Sequence, residues 1–331
     1  MLAISGSVQA HLFCVSTAAE FQDALTQSSA TYSGEDNYIT LVGGTYQTGA
    51  ATGNAPFLYS SPSASNAINI YGGYAAACEP RTEQTPRTML DGGGTTGVLI
   101  IRNTNGGVVI NGLVLQNGES DQPGAGLQVN YLVSANGSVA VSDTIIRNNH
   151  ATSTVGGLYV SAGTTAVFTA NLIAGNSADS QYGAGFVTCS GQNSLFYNNT
   201  VTQNTSAAPT TPIGGLYCGG AAACEVHNSI FWNNTTYGLY LGNSGAFLSY
   251  NDIGTLGGVA PDIDSHNLSV TPQFVNPNSE NFRLAGDSPL LGIGILNGTS
   301  YDLDGYRYPT SGKVDLGPYE RTIFIDGFDG V

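Results

Sequence analysis

The chain has 331 residues, 45 of them glycine, with 23 Asp and Glu against eight Lys and Arg and a formal charge of −15. Eight basic side chains scattered over that length make no cationic surface, which excludes nucleic acid and anionic membrane as partners. No run approaches the ~20 apolar residues of a membrane span, and with only 9% charged residues, solubility rests on exposed Ser, Thr, Asn and Gly.

Residues 1–10 read Met-Leu-Ala-Ile-Ser-Gly-Ser-Val-Gln-Ala, with Val8 and Ala10 where a signal-peptide cleavage site wants small residues and His11 as the new N-terminus. A basic n-region is missing and the apolar part is short, so this is read as a truncated signal remnant, the alternative being no signal at all. Residues 11–320 are read as one elongated domain, because a repeat structure grows by adding units. Within its first section, 11–37, Thr17-Ala18-Ala19-Glu20 has capping-box form, and Phe21 and Leu25 stand four apart. A short amphipathic helix over 17–28 is expected to cap the open end of the strands beyond it.

Irregular strand-like runs occupy 38–110: Tyr38 to Leu41, Ile68 to Tyr71, Met89 to Asp91, Val98 to Ile101 and Val108 to Ile110. The polar Ala/Ser/Pro stretch 50–66 reads as a loop. From 111 to 254 one phrase recurs: Gly-apolar-x-apolar, a turn, a second strand, then a closing asparagine. It starts at Gly126, Gly157, Gly185, Gly215 and Gly238, and closes at Asn148, Asn176, Asn204 and Asn233, with Asn117 ahead of them. Runs of two to five Val, Ile, Leu, Tyr and Phe broken by Gly-Gly and Asn-Asn are strand-and-turn chemistry, and copies of one unit bury their apolar side only by stacking. The expected fold is all-β: a parallel β-helix, each copy one rung at ~4.8 Å, with asparagines at one register forming an internal ladder. From Thr255 the period is lost, and 255–320, rich in proline and carboxylate, reads as an irregular C-terminal cap that ends the stack. Residues 321–331 are a tail.

These residues carry a resemblance. Phe13-Cys14-Val15, Gly43-Gly44-Thr45-Tyr46, Gly72-Gly73-Tyr74 with Cys78 and Arg81, and Leu90-Asp91-Gly92-Gly93 resemble bacterial secreted right-handed parallel β-helix proteins of the pectate-lyase-like superfold. The Gly-Gly-Leu rungs are similar to repeats of polymorphic outer-membrane-protein-like surface proteins. The run from Phe282 through Asp287-Ser288-Pro289-Leu290 to Val314-Asp315-Leu316-Gly317-Pro318-Tyr319-Glu320 resembles the closing module of such surface proteins, and Ile323-Phe324-Ile325-Asp326-Gly327-Phe328-Asp329 resembles a tail of exported proteins in some gammaproteobacteria. The resemblance implies a right-handed solenoid and export; activity differs among members of this superfold.

Five cysteines suit an oxidising compartment. Cys14 and Cys78 flank the N-terminal cap and are expected to bridge. Of Cys189, Cys218 and Cys224, the pair Cys218 and Cys224 falls on inward-alternating positions of one rung and is the expected second bridge; the alternative is three small buried side chains.

Lyases that eliminate across an acidic sugar need a strong base and cations for the substrate. Between Asn103 and Glu280 the sole basic side chain besides histidine is Arg147, which cannot serve as base and also neutralise a polyanion. Inverting hydrolases cluster carboxylates on adjacent rungs, whereas Asp143 is followed at the expected register by Asn171, Asn199 and Asn228. The remaining catalytic constellation is Asp143, Arg147 and His150, with Glu119 and Asp121 nearby. Glu225 and His227 alternate onto one face of one strand. Half a calcium loop stands at Asp302-Leu303-Asp304-Gly305, with Asp262 and Asp264 as further oxygens but no closing glutamate, so a structural calcium competes with simple solvated acids; no other cofactor is expected.

If Leu127, Leu158, Phe186, Leu216 and Leu239 point inward, then Gln128, Tyr159, Val187, Tyr217 and Tyr240 point outward on one flank. Tyrosines in register on a rigid sheet suit sugar rings, and also suit one another. The expectation is a secreted or cell-surface, monomeric, non-catalytic protein that binds polysaccharide or another surface ligand, as an adhesin or matrix component would. The rivals are a polysaccharide lyase or hydrolase, and a purely structural stalk.

Overall fold

A computed structural model describes residues 10–49, 52–61, 66–80, 86–131 and 137–321. The expected signal remnant lies outside them except for Ala10, as does the tail except for Arg321. The chain coils as a parallel β-solenoid with three long sheets and a short corner sheet. A complete rung visits them in one order: Val139–Ser142 in the ten-stranded sheet 1, Ile145–Arg147 in the eight-stranded sheet 2, His150–Ala151 in the four-stranded corner sheet, Leu158–Ala162 in the eight-stranded sheet 3. The next strand, Ala166–Thr169, returns to sheet 1 beside the first. Parallel strands joined by crossovers take the right hand. Among the described residues no helix is long and apolar enough to cross a membrane.

Strand alternation buries one side of every sheet. Val139, Val141, Ile146, Leu158 and Val160 are at most 1% exposed, and so are their rung-to-rung equivalents Val108, Phe168, Phe196, Val226 and Leu248. The core is therefore one continuous cylinder, and each rung is stable only because its neighbours cover it.

The stack starts earlier than the sequence suggested. Ala10–Val15 pairs in parallel with Asp36–Val42, so a first strand precedes the helix. The helix spans Ala18–Ala30, two residues beyond the expected end, and Thr17 and Glu20 close the capping box in both directions. Phe21 and Leu25 are fully buried, with Phe21 against Phe57 at 4.9 Å. Gln22 accepts from the N–H of Leu58 and donates to its C=O, so one side chain satisfies an open strand edge. The expected loop over 50–66 is also corrected: Phe57–Ser60 inside it is the first strand of sheet 3, with Phe57 and Tyr59 buried. Disulfides join Cys14 to Cys78 and Cys218 to Cys224, and Cys189 is a buried thiol.

Two asparagine ladders line the turns flanking sheet 2. At its exit, Nδ2 of Asn149, Asn176 and Asn204 donates to Oδ1 of Asn176, Asn204 and Asn234. The closing asparagines of the repeat therefore belong to two columns. Asn117, Asn148 and Asn233 hold an outer left-handed turn position (φ 54 to 55°) that Gly175 and Gln203 fill in other rungs, whereas Asn176 and Asn204 lie in the buried ladder. At the entrance, Asn171 donates to Asn199 and Asn251 to Asn267, with Ser229 accepting from the Asn199 N–H between them. Asp143 stands one residue before that ladder: its register partners are Ala170, Asn198 and Asn228, all at positive φ, instead of Asn171 and Asn199.

The C-terminal region corrects the sequence reading twice. Leu256–Gly258 and Ile263–Ser265 extend sheets 3 and 1, so the stack runs past 254. Residues 270–321 then fold back as a strap over the outer face of sheet 2. Phe282, Leu303 and Tyr319 cover Leu172 and Ala174, and Leu290 and Leu316 cover Ile230. This burial explains why sheet 2 is apolar on both sides. Polar ties add to it: Glu280 holds Arg147 and Asn148, Asn228 bonds both N–H and C=O of Ile295, and Arg87 donates to the Leu303 carbonyl.

Buried carboxyls organise the strap itself. Asp302 accepts the backbone N–H groups of Asp304, Tyr306 and Glu320, and Glu320 accepts that of Asp315. Burial pushes Asp302 up to about 6 and Glu320 up to about 7, against the pull of those N–H donors. Burial likewise raises Asp252, beneath the start of the strap, to about 7. Raised carboxyl pKa values mean that the neutral forms favour the packed strap. That stabilisation is complete below the ordinary value of about 4 and is lost as pH climbs through 6 to 7. Amides of the strap are therefore expected to exchange faster at pH 8 than at pH 5 after correction for intrinsic rates, and Glu320→Gln to regain about 1 kcal/mol at pH 8 once solvent screening is allowed for. Equal protection at both pH values would contradict this.

Candidate functional site

Parallel pairing carries one residue from each rung into a straight outward file on sheet 3: Leu58, Ile100, Gln128, Tyr159, Phe186, Tyr217, Tyr240 and Gly257. The fifth member corrects the sequence register. Gly185, where an inward leucine stands in other rungs, pairs with Leu158, so Phe186 points outward and Val187 is fully buried. The tell-tale in the sequence is Gly183-Ala184-Gly185, which aligns by its first small pair with Gly156-Gly157 and shifts the frame by one.

The file is thereby an uninterrupted run of four rings. Tyr159 to Phe186, Phe186 to Tyr217 and Tyr217 to Tyr240 have centroids 5.6, 4.7 and 6.0 Å apart and planes within 6°, 10° and 19° of parallel. Tyr182 braces Phe186 and Tyr217 at 5.0 and 5.4 Å, and Tyr237 meets Tyr240 edge-on. Burial raises the Tyr182 phenol above its ordinary value. Rings stacked along the solenoid axis spend their inner faces on one another, so the surface offers ring edges and phenol hydroxyls. Close approach fixes the pose of Tyr217: a Cβ at Gly242 would lie 2.0 Å from its hydroxyl oxygen. Gln128 heads the run beside Ile100.

At that end a cavity of about 380 Å³ opens between the corner sheet and sheet 3, lined by Pro56, Thr96, Ile100, Glu119, Asp121 and Thr152. Next to it, rung stacking assembles a half-exposed cluster. His150 Nε2 lies 3.8 Å from Glu119 and 3.7 Å from Asp179, and Nδ1 shares a 2.9 Å hydrogen bond with Ser177. Asp179 was not among the sequence candidates, because it meets His150 across a rung rather than along the chain.

The other two members of the expected catalytic group are engaged away from this cluster. Asp143 accepts from Asn111 at 3.1 Å. Arg147 is held by Gln116 and, at 2.5 Å, by Glu280 of the strap. On sheet 1, Glu225 accepts from Tyr197 and meets His227 Nε2 at 3.1 Å, while His227 Nδ1 meets Ser249 at 2.5 Å. His227 and Ser249 are 8% and 4% exposed, which makes this chain of contacts a buried tie between rungs.

The proposed calcium oxygens are engaged elsewhere. Asp302 accepts three N–H groups, Asp304 pairs with Arg283, Asp262 accepts from Gly245 and Asp264 from Asn267. Among the described residues no group of three or more His, Cys, Asp or Glu is placed to hold a metal ion.

Residues 90–253 match the family described as right handed beta helix region. The solved structure described as crystal structure of pectate lyase Pel9A is similar in fold at 14% identity and a TM-score of 0.41, over 96% of this chain and 98% of that one. No curated protein matches the sequence.

Proposed function

We propose that this right-handed β-helix is an exported, non-catalytic protein that binds polysaccharide along the aromatic file of sheet 3. The single observation that carries the reading is the continuous run Tyr159, Phe186, Tyr217 and Tyr240, rigidly spaced and free of basic side chains. Edges and hydroxyls in a row suit an extended chain of neutral sugars, which offers both C–H surface and hydroxyl groups at a regular repeat. A polyanion would meet Glu119, Asp121 and Asp179 beside the file and a chain of charge −15. Two disulfides support export. A second reading, hydrolysis, is favoured by the Glu119, His150 and Asp179 cluster beside the cavity, since two carboxylates around a histidine supply proton donors and acceptors.

Affinity electrophoresis through gels of neutral and acidic polysaccharides, with reducing-end assays on the same samples, tests both. Retention by a neutral polysaccharide without new reducing ends is expected, and Tyr159→Ala with Tyr217→Ala should weaken it at least tenfold, about 1.4 kcal/mol. Unchanged retention removes the aromatic file as the binding surface. New reducing ends that vanish in His150→Ala would establish the second reading.

A further inference from the structure

Sheet 1 carries a second outward file, distinct from the aromatic one and independent of polysaccharide binding. From the first rung to the last it reads Leu12, Tyr38, Asn69, Val109, Ala140, Val167, Leu195, Glu225, Phe247 and Ile263. Leu12, Phe247 and Ile263 are 74%, 37% and 44% exposed. Beside it runs a file of hydroxyl and amide side chains, Thr40, Tyr71, Asn111, Ser142, Thr169 and Tyr197, which continues into the buried His227 and Ser249.

The order of the apolar file is the same from either end. Counted inward, aliphatic Leu12 matches aliphatic Ile263, and Tyr38 matches Phe247. Asn69, which is 6% exposed and donates to the Asn37 carbonyl, stands in the position matching Glu225, Val109 matches Leu195, and Ala140 matches Val167. A sequence that reads alike in both directions is what an isologous contact requires, since a two-fold axis lying in the contact plane parallel to the strands reverses the order of strands and lays the file on itself. Aligned packing of two sheet faces is a standard arrangement.

We propose that this face is the interface of a homodimer, two copies meeting sheet 1 to sheet 1 about such an axis. Charge selects a second copy as the occupant. Copies of a −15 chain repel one another generally, yet the two files of this face hold a single carboxylate, Glu225, already bonded to Tyr197 and His227. Ten strands at ~4.8 Å and four residues at ~3.3 Å give a face of about 43 by 13 Å, which buries about 1,100 Å² over both partners. That area stands at the low end for a specific interface, so the test spans the micromolar range. Cys14, which pairs with Thr40 at the head of the hydroxyl file, is bridged to Cys78. The dimer replaces the monomer expected from sequence and leaves both aromatic flanks free.

Sedimentation equilibrium of the full chain tests the proposal, with twice the chain mass expected at tens of micromolar. Val109→Asp and Leu195→Lys should each give monomers with unchanged far-ultraviolet circular dichroism. Combined in one chain they should restore the dimer, because the carboxylate at 109 then faces the ammonium at 195 of the other copy. Within one chain those positions are three strands, about 14 Å, apart and do not neutralise each other. A wild-type chain that stays monomeric across the micromolar range overturns the proposal, and so does a folded double variant that stays monomeric.

Discussion

Asn176→Ala is expected to lose about 4 kcal/mol of stability, whereas Asn233→Ala, a change of the same residue type in the same repeat, loses about 1 kcal/mol. Asn176 is fully buried. Its Oδ1 accepts the N–H and Nδ2 of Asn149, and its Nδ2 donates to the Ile146 carbonyl and to Asn204 Oδ1. Truncation removes four hydrogen bonds and strands donors and acceptors where water does not reach, which is the costly direction. Asn233 is exposed at φ 55°, so its replacement meets the modest penalty of a left-handed turn, one that Ala170 already bears at φ 53°. Urea unfolding of both variants makes the comparison. Equal losses would mean that the ladder contributes nothing beyond the turn it decorates. Asn176→Asp should be nearly as harmful as alanine, because a carboxylate keeps the acceptor side and turns the donor side against two oxygens.

The contrast between those two asparagines shows where the sequence stops being readable. A solenoid is legible because each rung repeats the same pattern: glycine, alternating apolar residues and asparagine return many times, and a misread copy is outvoted. Single-residue register has no such redundancy. Asn148 and Asn149 are adjacent and chemically identical, and only backbone geometry assigns one to an exposed turn and the other to the buried ladder. Gly185 likewise hides the frame that places Phe186 outward, because both phenylalanine and valine are acceptable inside a core.

Unrepeated parts leave still less trace. Phe57–Ser60 is a lone strand in a stretch of Ala, Ser and Pro, identified only by the strand it meets, Leu99–Thr104. The strap's return over sheet 2 has no period at all. Its one signal is that Leu172, Ala174 and Ile230 are apolar on a side that alternation assigns to solvent. The candidate site divides along the same line. Tyr159, Tyr217 and Tyr240 follow from the repeat, whereas Asp179 reaches His150 only through the stacking of rungs.

The two disulfides, both anticipated from cysteine placement, separate the effect of chain entropy from that of local packing. Replacing Cys14 and Cys78 together with serine is expected to cost about 4 kcal/mol, and the same change at Cys218 and Cys224 about 2 kcal/mol, from the restriction each bridge places on the unfolded chain. The difference lies in separation: 64 residues for the first bridge, six for the second. Position adds to it. The first bridge ties the end strand Ala10–Val15, which pairs with a neighbour on one side, to the segment Ala76–Cys78 after the third strand of sheet 1. End rungs of a solenoid have half the support of inner ones. Without the bridge this strand, and the helix after it that buries Phe21 against Phe57, should open first. Loss of amide protection should therefore appear over residues 10–30 in the first variant before the rungs beyond Val108 are affected. The second variant has both rung neighbours in place around Leu216–Gly220 and should melt as one unit with the wild-type pattern. Equal destabilisation by the two replacements, or exchange spreading from the middle of the stack in both, would show that loop length and end position are not what these bridges act through.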